Sequence, residues 1–107
     1  MSDITIMRIR ELCENKVMRW TNHIHTRLIK RNILIEDVEE SLLSGEIIEL
    51  YPDDYPYPSC LVLGTDANNN YVHVVCGISG AELHLITAYY PNPAKWSADF
   101  KVRREKN

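Results

Sequence analysis

The widest gap in this sequence is one of charge. From Asn32 to Ala94 there is no Lys or Arg, while ten Asp and Glu fall in the same stretch. With a net charge of −3, the chain is not a uniformly basic nucleic-acid binder. Any phosphate contact must come from a local patch whose grip weakens as salt rises. There is no apolar run of membrane-spanning length and no secretory h-region, so neither a membrane partner nor export is expected. The three cysteines, Cys13, Cys60 and Cys76, form no CxxC pair. An odd count without a signal peptide predicts reduced thiols in a cytoplasm, and apolar neighbours make all three small core residues. No internal repeat is visible.

What is present fits one domain over residues 1–107, with a core from about 3 to 100 and a frayed tail at 101–107. Hydrophobic residues make up 45% and charged residues 25%, ordinary for a globular chain. Seven cations lie in residues 1–31 and five in 95–107. Where these two ends meet, they would form a basic patch on an acidic body.

Ser2 or Asp3 is expected to cap a first helix in which Ile6, Ile9, Leu12 and Cys13 keep helical spacing, with Asn15 ending it. Residues 16–20 read as short and extended or irregular. Thr21 or Asn22 then caps a second helix with Ile24 and Leu28 on its apolar side and Asn32 as a left-handed cap. A third helix runs from about Ile35 to Ser44, with Val38, Leu42 and Leu43 inward, and Gly45 stops it. The period then becomes two. Strands are expected at Glu46–Tyr51, Ser59–Gly64, Tyr71–Gly77 and Glu82–Tyr90, the last two apolar on both faces and so central. Asp66–Asn70 and Ser79-Gly80 suit tight turns, and Ala94–Phe100 reads as a short helical turn. Helices followed by strands predict an α+β fold, with N-terminal helices packed on one face of a four-stranded, mainly antiparallel sheet.

Chemistry concentrates in Trp20–Arg31, where two histidines and three cations occur without an acid. On a helix, His23, Arg27, Lys30 and Arg31 fall on one face. Imidazole beside guanidinium can move a proton and hold a phosphate, which metal-free RNA cleavage requires. The same spacing also serves a helix that packs His23 and pairs Arg27 with an acid of the third helix. His23 and His25 point apart on a helix, so HxH is no chelating pair, and neither a metal nor a cofactor is expected.

His23-x3-Arg27-x3-Arg31-x-Ile33 is followed by Gly45-Glu46-Ile47-Ile48-Glu49 and Tyr51-Pro52-Asp53-Asp54. Then come Pro58-Ser59-Cys60-Leu61-Val62-Leu63-Gly64, His73-Val74-Val75-Cys76, and Ile86-Thr87-Ala88-Tyr89-Tyr90-Pro91-Asn92-Pro93-x2-Trp96. In this order and spacing, from about residue 5 to 103, the chain resembles the domain of unknown function 4258, a family of small bacterial proteins. The resemblance implies a fold related to RelE-like and MqsR-like toxins and to the barnase–colicin ribonucleases. It also implies a partner, a small antitoxin with a YgiT-type zinc finger that carries its own zinc. The chain departs from the pattern at Asn32, where the family often has Gly, and from RelE-like toxins in being acidic.

Within that pattern a histidine at position 73 belongs to the signature. His73 shares a strand face with Tyr71 and Val75, and is expected to face the second helix as a second acid or base. Such a position equally suits a core histidine bonded to a backbone carbonyl. Thr87 and Tyr89 share a face, so Tyr89 is favoured over Tyr90 as a donor to the transition-state phosphate. Lys30, Arg31 and Lys95 would hold the RNA backbone, and Trp96 would either stack on a base or pack a terminal helix. His84 is expected on the opposite face from Thr87. The loop 51–58, acidic, aromatic and rich in proline, reads as structural or as a docking surface for a basic partner. The expected function is a metal-independent endoribonuclease toxin, with His23, Arg27, His73 and Tyr89 catalytic. The alternative is a non-catalytic domain that binds a small basic or zinc-finger partner.

Overall fold

Short polar side chains set the helix starts. The computed structural model of the chain describes residues 4–104. Thr5 opens α1 (Ile6–Glu14), its hydroxyl accepting from the Arg8 amide at 3.1 Å. The cap is therefore Thr5 and not the expected Ser2 or Asp3, which lie outside the described residues. Thr21 opens α2 (Asn22–Arg31) in the same way, accepting from the Ile24 amide at 3.2 Å. Asn32 ends α2 in the left-handed region, at φ 55° and ψ 41°. The Asp37 carboxylate reaches back to the Leu34 amide at 2.9 Å and fixes the start of α3 (Ile35–Ser44). Val38 and Leu42 of α3 are buried, whereas Leu43, expected inward, is 38% exposed.

The sheet has five strands, not four. A three-residue strand, β1 (Met18–Trp20), precedes β2 (Glu46–Tyr51), β3 (Ser59–Thr65), β4 (Tyr71–Ser79) and β5 (Glu82–Tyr89). The order is β1-β5-β4-β3-β2, with β1 parallel to β5 and the other pairs antiparallel. The sheet is therefore mixed. Three residues are too few to show alternation, but their backbone groups satisfy the edge of β5. The fold is α+β, and no described helix is long and apolar enough to cross a membrane.

One sheet face carries Cys60, Val62, Val74, Cys76, Leu85 and Ala88, and packs against Ile9, Leu12, Ile24, Leu28, Val38 and Leu42 of the helices. Gly64 lets α3 rest on β3, since a β-carbon there would sit 2.0 Å from the Ser41 carbonyl oxygen. The three cysteines are buried and free. Burial pushes the Cys13 thiol up to about 11.

The opposite face carries Leu61, Leu63, His73, Val75 and Tyr89 in register. His73 therefore points away from α2, not toward it. Two bulges shift the alternation on this face. One, between Ile47 and Glu49, brings both Glu46 and Glu49 onto it, opposite Leu63 and Leu61. The other, between Val75 and Cys76, puts His84 on the same face as Thr87, against the simple alternation expected. His84 stacks on Tyr57, with ring centroids 4.5 Å apart. Tyr57 lies across Gly77, where a β-carbon would meet its ring at 2.6 Å.

Residues 91–104 fold back over the helix-free face. Trp96 is 3% exposed and bridges to Arg103 as an isolated antiparallel pair. The expected helical turn at 94–100 is instead a series of turns. Of the tail expected to be frayed at 101–107, residues 105–107 lie outside the described residues and 101–104 are tied to β2. Lys101 pairs with Glu46 at 2.7 Å, and Arg103 pairs with Glu49. Lys101 and Arg103 thus meet the acids of β2, because opposite charges on adjacent segments attract.

Candidate functional site

The helix-free face places a carboxylate, a phenol and a guanidinium together. Glu49 and Tyr51 share this face of β2, and the Tyr51 hydroxyl donates to Glu49 Oε1 at 2.5 Å. Arg103 grips the same carboxylate at 3.0–3.3 Å through Nε and Nη2. Its guanidinium also lies 4.7 Å from the centre of the Trp96 ring. Burial raises the Glu49 pKa, but the hydrogen bonds from Arg103 and Tyr51 and the charge of Arg103 outweigh it and hold Glu49 below its ordinary value. Burial and the bond to Glu49 push Tyr51 up to about 12. Arg103 is raised further above its ordinary value, first by its bond to Glu49.

His73 lies beneath this group, fully buried. Trp96 packs edge-on to its ring at 4.5 Å and Tyr89 at 5.3 Å. His73 Nε2 bonds the Phe100 carbonyl oxygen at 2.9 Å, so that nitrogen carries the proton, and Nδ1 has no partner among the described residues. Burial lowers the His73 pKa, against the Phe100 hydrogen bond and Glu49, and favours the neutral ring. This is the geometry of a core histidine that pins a backbone carbonyl.

Tyr89 stands opposite His73 on β5 and is half-buried. Burial raises its pKa, while Arg103, Glu49 and Arg31 all act on it electrostatically. Its hydroxyl has no hydrogen-bond partner among the described residues. Arg31, at the end of α2, donates to Thr87 Oγ1 at 3.1 Å and to the Ala88 carbonyl oxygen at 2.8 Å. It thereby ties α2 to β5 beyond the end of β1.

The structure thus brings His73, Tyr89, Trp96 and Arg31 to one region. His23 is exposed in the first turn of α2, eight residues before Arg31, or about 12 Å along the helix axis. Among the described residues, His23, Arg27 and Lys30 form no ion pair, ring contact or side-chain hydrogen bond. Arg27 does not pair with α3. Lys95 is exposed, its amide bonding the Asn92 carbonyl at 2.9 Å. His25 stacks loosely on Trp20, with centroids 6.3 Å apart. Among the described residues no group of three or more His, Cys, Asp or Glu is arranged to hold a metal.

Glu49, Tyr51 and Arg103 escape a reading by sequence alone. Glu49 and Tyr51 at i, i+2 near the end of a strand were the available signal. Their relation to Arg103 spans 54 residues and has none. In the 51–58 loop, Asp54 accepts from the Ser59 hydroxyl and its amide bonds Tyr51, so it is structural.

The family described as "Domain of unknown function (DUF4258)" matches residues 20–90. No curated protein and no solved structure matches the chain.

Proposed function

From a chain that belongs to the DUF4258 family, we propose a metal-independent endoribonuclease of toxin type, related in fold to the RelE and barnase ribonucleases and acting in the cytoplasm. The observation that carries this reading is the Glu49–Tyr51 hydrogen bond held under Arg103. Glu49 takes the proton of the RNA 2′-hydroxyl as its oxygen bonds to phosphorus. The P–O5′ bond breaks, and Tyr51 protonates the leaving 5′-oxygen. A phenol at about 12 stays protonated at neutral pH, yet an alkoxide is basic enough to deprotonate it. Glu49 then returns its proton to Tyr51 across their shared bond. The products are a 2′,3′-cyclic phosphate and a 5′-hydroxyl.

Arg103 and the Tyr89 hydroxyl stabilise the phosphorane charge, and Arg31 holds an adjacent phosphate. His23, Arg27 and Lys30 form a basic stripe that leads the RNA backbone to Arg31. His73 is a positioning residue, because it fixes the Phe100 carbonyl and packs Trp96 beneath Arg103. This differs from the roles the sequence suggests, in which His23 and His73 share the acid–base work.

RNA incubated with the chain should gain 2′,3′-cyclic phosphate ends. Glu49→Gln and Tyr51→Phe should each lower the rate about 100-fold or more, and His23→Ala should affect mainly binding. Intact RNA with folded protein would overturn the ribonuclease reading.

A second reading, a non-catalytic interaction domain, is favoured by the sealing of His73 and by apolar exposure at the α2–α3 corner. Ile29 is 78% and Leu34 62% exposed there. Glu36 and Glu40 of α3 have no ion pair among the described residues. That surface fits a small partner rich in Lys and Arg. On the toxin reading this partner is the antitoxin, with or without a YgiT-type zinc finger.

A further inference from the structure

Next to the helix-free row is an open depression of about 510 Å³ lined by Asn69, Asn70, Tyr71, Tyr90, Pro91 and Phe100. Its walls are aromatic and unusually exposed: Tyr71 is 45% and Tyr90 42% accessible. The Tyr71 and Phe100 rings meet at 5.3 Å with an interplanar angle of 51°, leaving the remaining ring faces open. Phe100 has a φ of 61°, a left-handed conformation that bulky residues rarely adopt. Two bonds hold it there: its own amide donates to the Ser97 carbonyl at 2.8 Å, and its carbonyl accepts from His73 Nε2 at 2.9 Å. The strain presents the Phe100 ring to the depression and its carbonyl to His73.

The polar side is equally built. The Asp66 carboxylate accepts from the Asn68 and Asn70 amides at 2.9 Å, from the Asn70 side chain at 3.3 Å and from the Tyr90 hydroxyl at 3.4 Å. This fixes the turn and leaves the Asn69 side-chain amide, at φ 63°, with no partner among the described residues. A free amide offers one donor group and one acceptor side by side. Exposed π faces with one such amide suit a planar heterocycle that stacks and pairs at its edge.

We propose that this depression is a nucleobase subsite, in which an unpaired RNA base stacks on Tyr71 and Tyr90 and pairs with Asn69. This rests on the ribonuclease reading for the identity of the polymer. Tyr71 lies two residues along β4 from His73, about 7 Å away on the same face, close to the phosphate-to-base reach of one nucleotide. The base would be that of the nucleotide whose phosphate meets Tyr89, so the chain would select single-stranded RNA over duplex.

The test is an NMR titration of the full chain with the four ribonucleoside 5′-monophosphates and, as a control without a base, ribose 5-phosphate. Shifts at the Asn69 side-chain amide and the Tyr71 and Tyr90 rings are expected with nucleotides only. Tyr71→Leu, with its amide fingerprint otherwise intact, should bind about tenfold more weakly or worse. Asn69→Ala should change the order of preference among the four bases. Equal shifts with ribose 5-phosphate, or none at millimolar nucleotide, would overturn the subsite. RNA cleavage with a silent depression removes the subsite alone. Nucleotide binding there without any RNA cleavage keeps the subsite and removes the ribonuclease.

Discussion

Replacing Trp96 by Ala separates an anchor from a stacking surface. Trp96 is 3% exposed, packs on His73 at 4.5 Å and carries Arg103 over its ring at 4.7 Å. Truncating a buried Trp typically costs about 3–5 kcal/mol, to which a lost cation–π contact adds roughly 0.5–1 kcal/mol. For a domain of this size each kcal/mol moves Tm by about 4–8 °C, so even the smaller figures give a drop of about 14 °C. Such a loss is a large part of an ordinary folding stability. A Trp that served only to stack on RNA would change stability by less than about 0.5 kcal/mol when truncated. Calorimetry on Trp96→Ala and Trp96→Phe decides between them, the Phe variant recovering part of the loss by refilling the space. A Tm within 2–3 °C of the parent in the Ala variant would refute the view that this side chain seats residues 91–104 on the sheet.

Four further outcomes follow from the geometry. His73 has a pKa lowered by burial from an ordinary 6.5, so the unfolded chain takes up its proton first as pH falls. Stability from this group is full above that value and declines below it, and His73→Gln should flatten that limb in urea titrations between pH 7 and 5. Glu49 has a lowered pKa, so its contribution is present above the ordinary carboxylate range and is lost as pH falls through the depressed value; a Glu49→Gln chain that showed an unchanged acid limb would contradict this. Asn32→Ala should cost about 1 kcal/mol at its left-handed φ of 55°, while Asn32→Gly should be near neutral, by chemical denaturation. Gly64→Ala, with its β-carbon 2.0 Å from a carbonyl oxygen, should be far more harmful than Gly80→Ala, which meets nothing within 4 Å but carries a φ of +63°; soluble yield and Tm measure the contrast.

The second and third helices are legible in the sequence because apolar spacing and end signals agree, whereas the first is capped by Thr5 and not by the expected Ser2 or Asp3. Thr21, Asn32 and Gly45 stand where a reading of residues 21–45 puts them. The central strands are legible from their doubly apolar pattern, and alternation correctly separates His73 from Val72 and Val74. Alternation fails where a bulge intervenes. Glu46 with Glu49, and His84 with Thr87, share faces at a spacing of three, which no period-two reading gives. β1 is silent because its stability comes from β5's unpaired backbone, not from its own three side chains. Residues 101–104 read as a frayed tail because they are polar and basic. Their order depends on Glu46 and Glu49, acids that a local window cannot connect to them. The same distance in sequence hides Arg103 as part of the candidate site.

The closure of β2 against Arg103 also dictates when in folding this site can exist. The Glu49–Arg103 contact closes a loop of 54 residues around two complete hairpins, a non-local event that costs more chain entropy than any turn in the sheet. Helix α3 and the β3–β4–β5 meander have partners closer in sequence and no need to wait for it. Docking of residues 91–104 is therefore the late step, and its reversal the early step of opening. Amide exchange should find the Phe100 and Arg104 amides escaping ahead of those in β4. The guanidinium would then leave the carboxylate while the sheet beneath is still intact, so a chain can keep its fold and yet lose the Glu49–Tyr51–Arg103 arrangement.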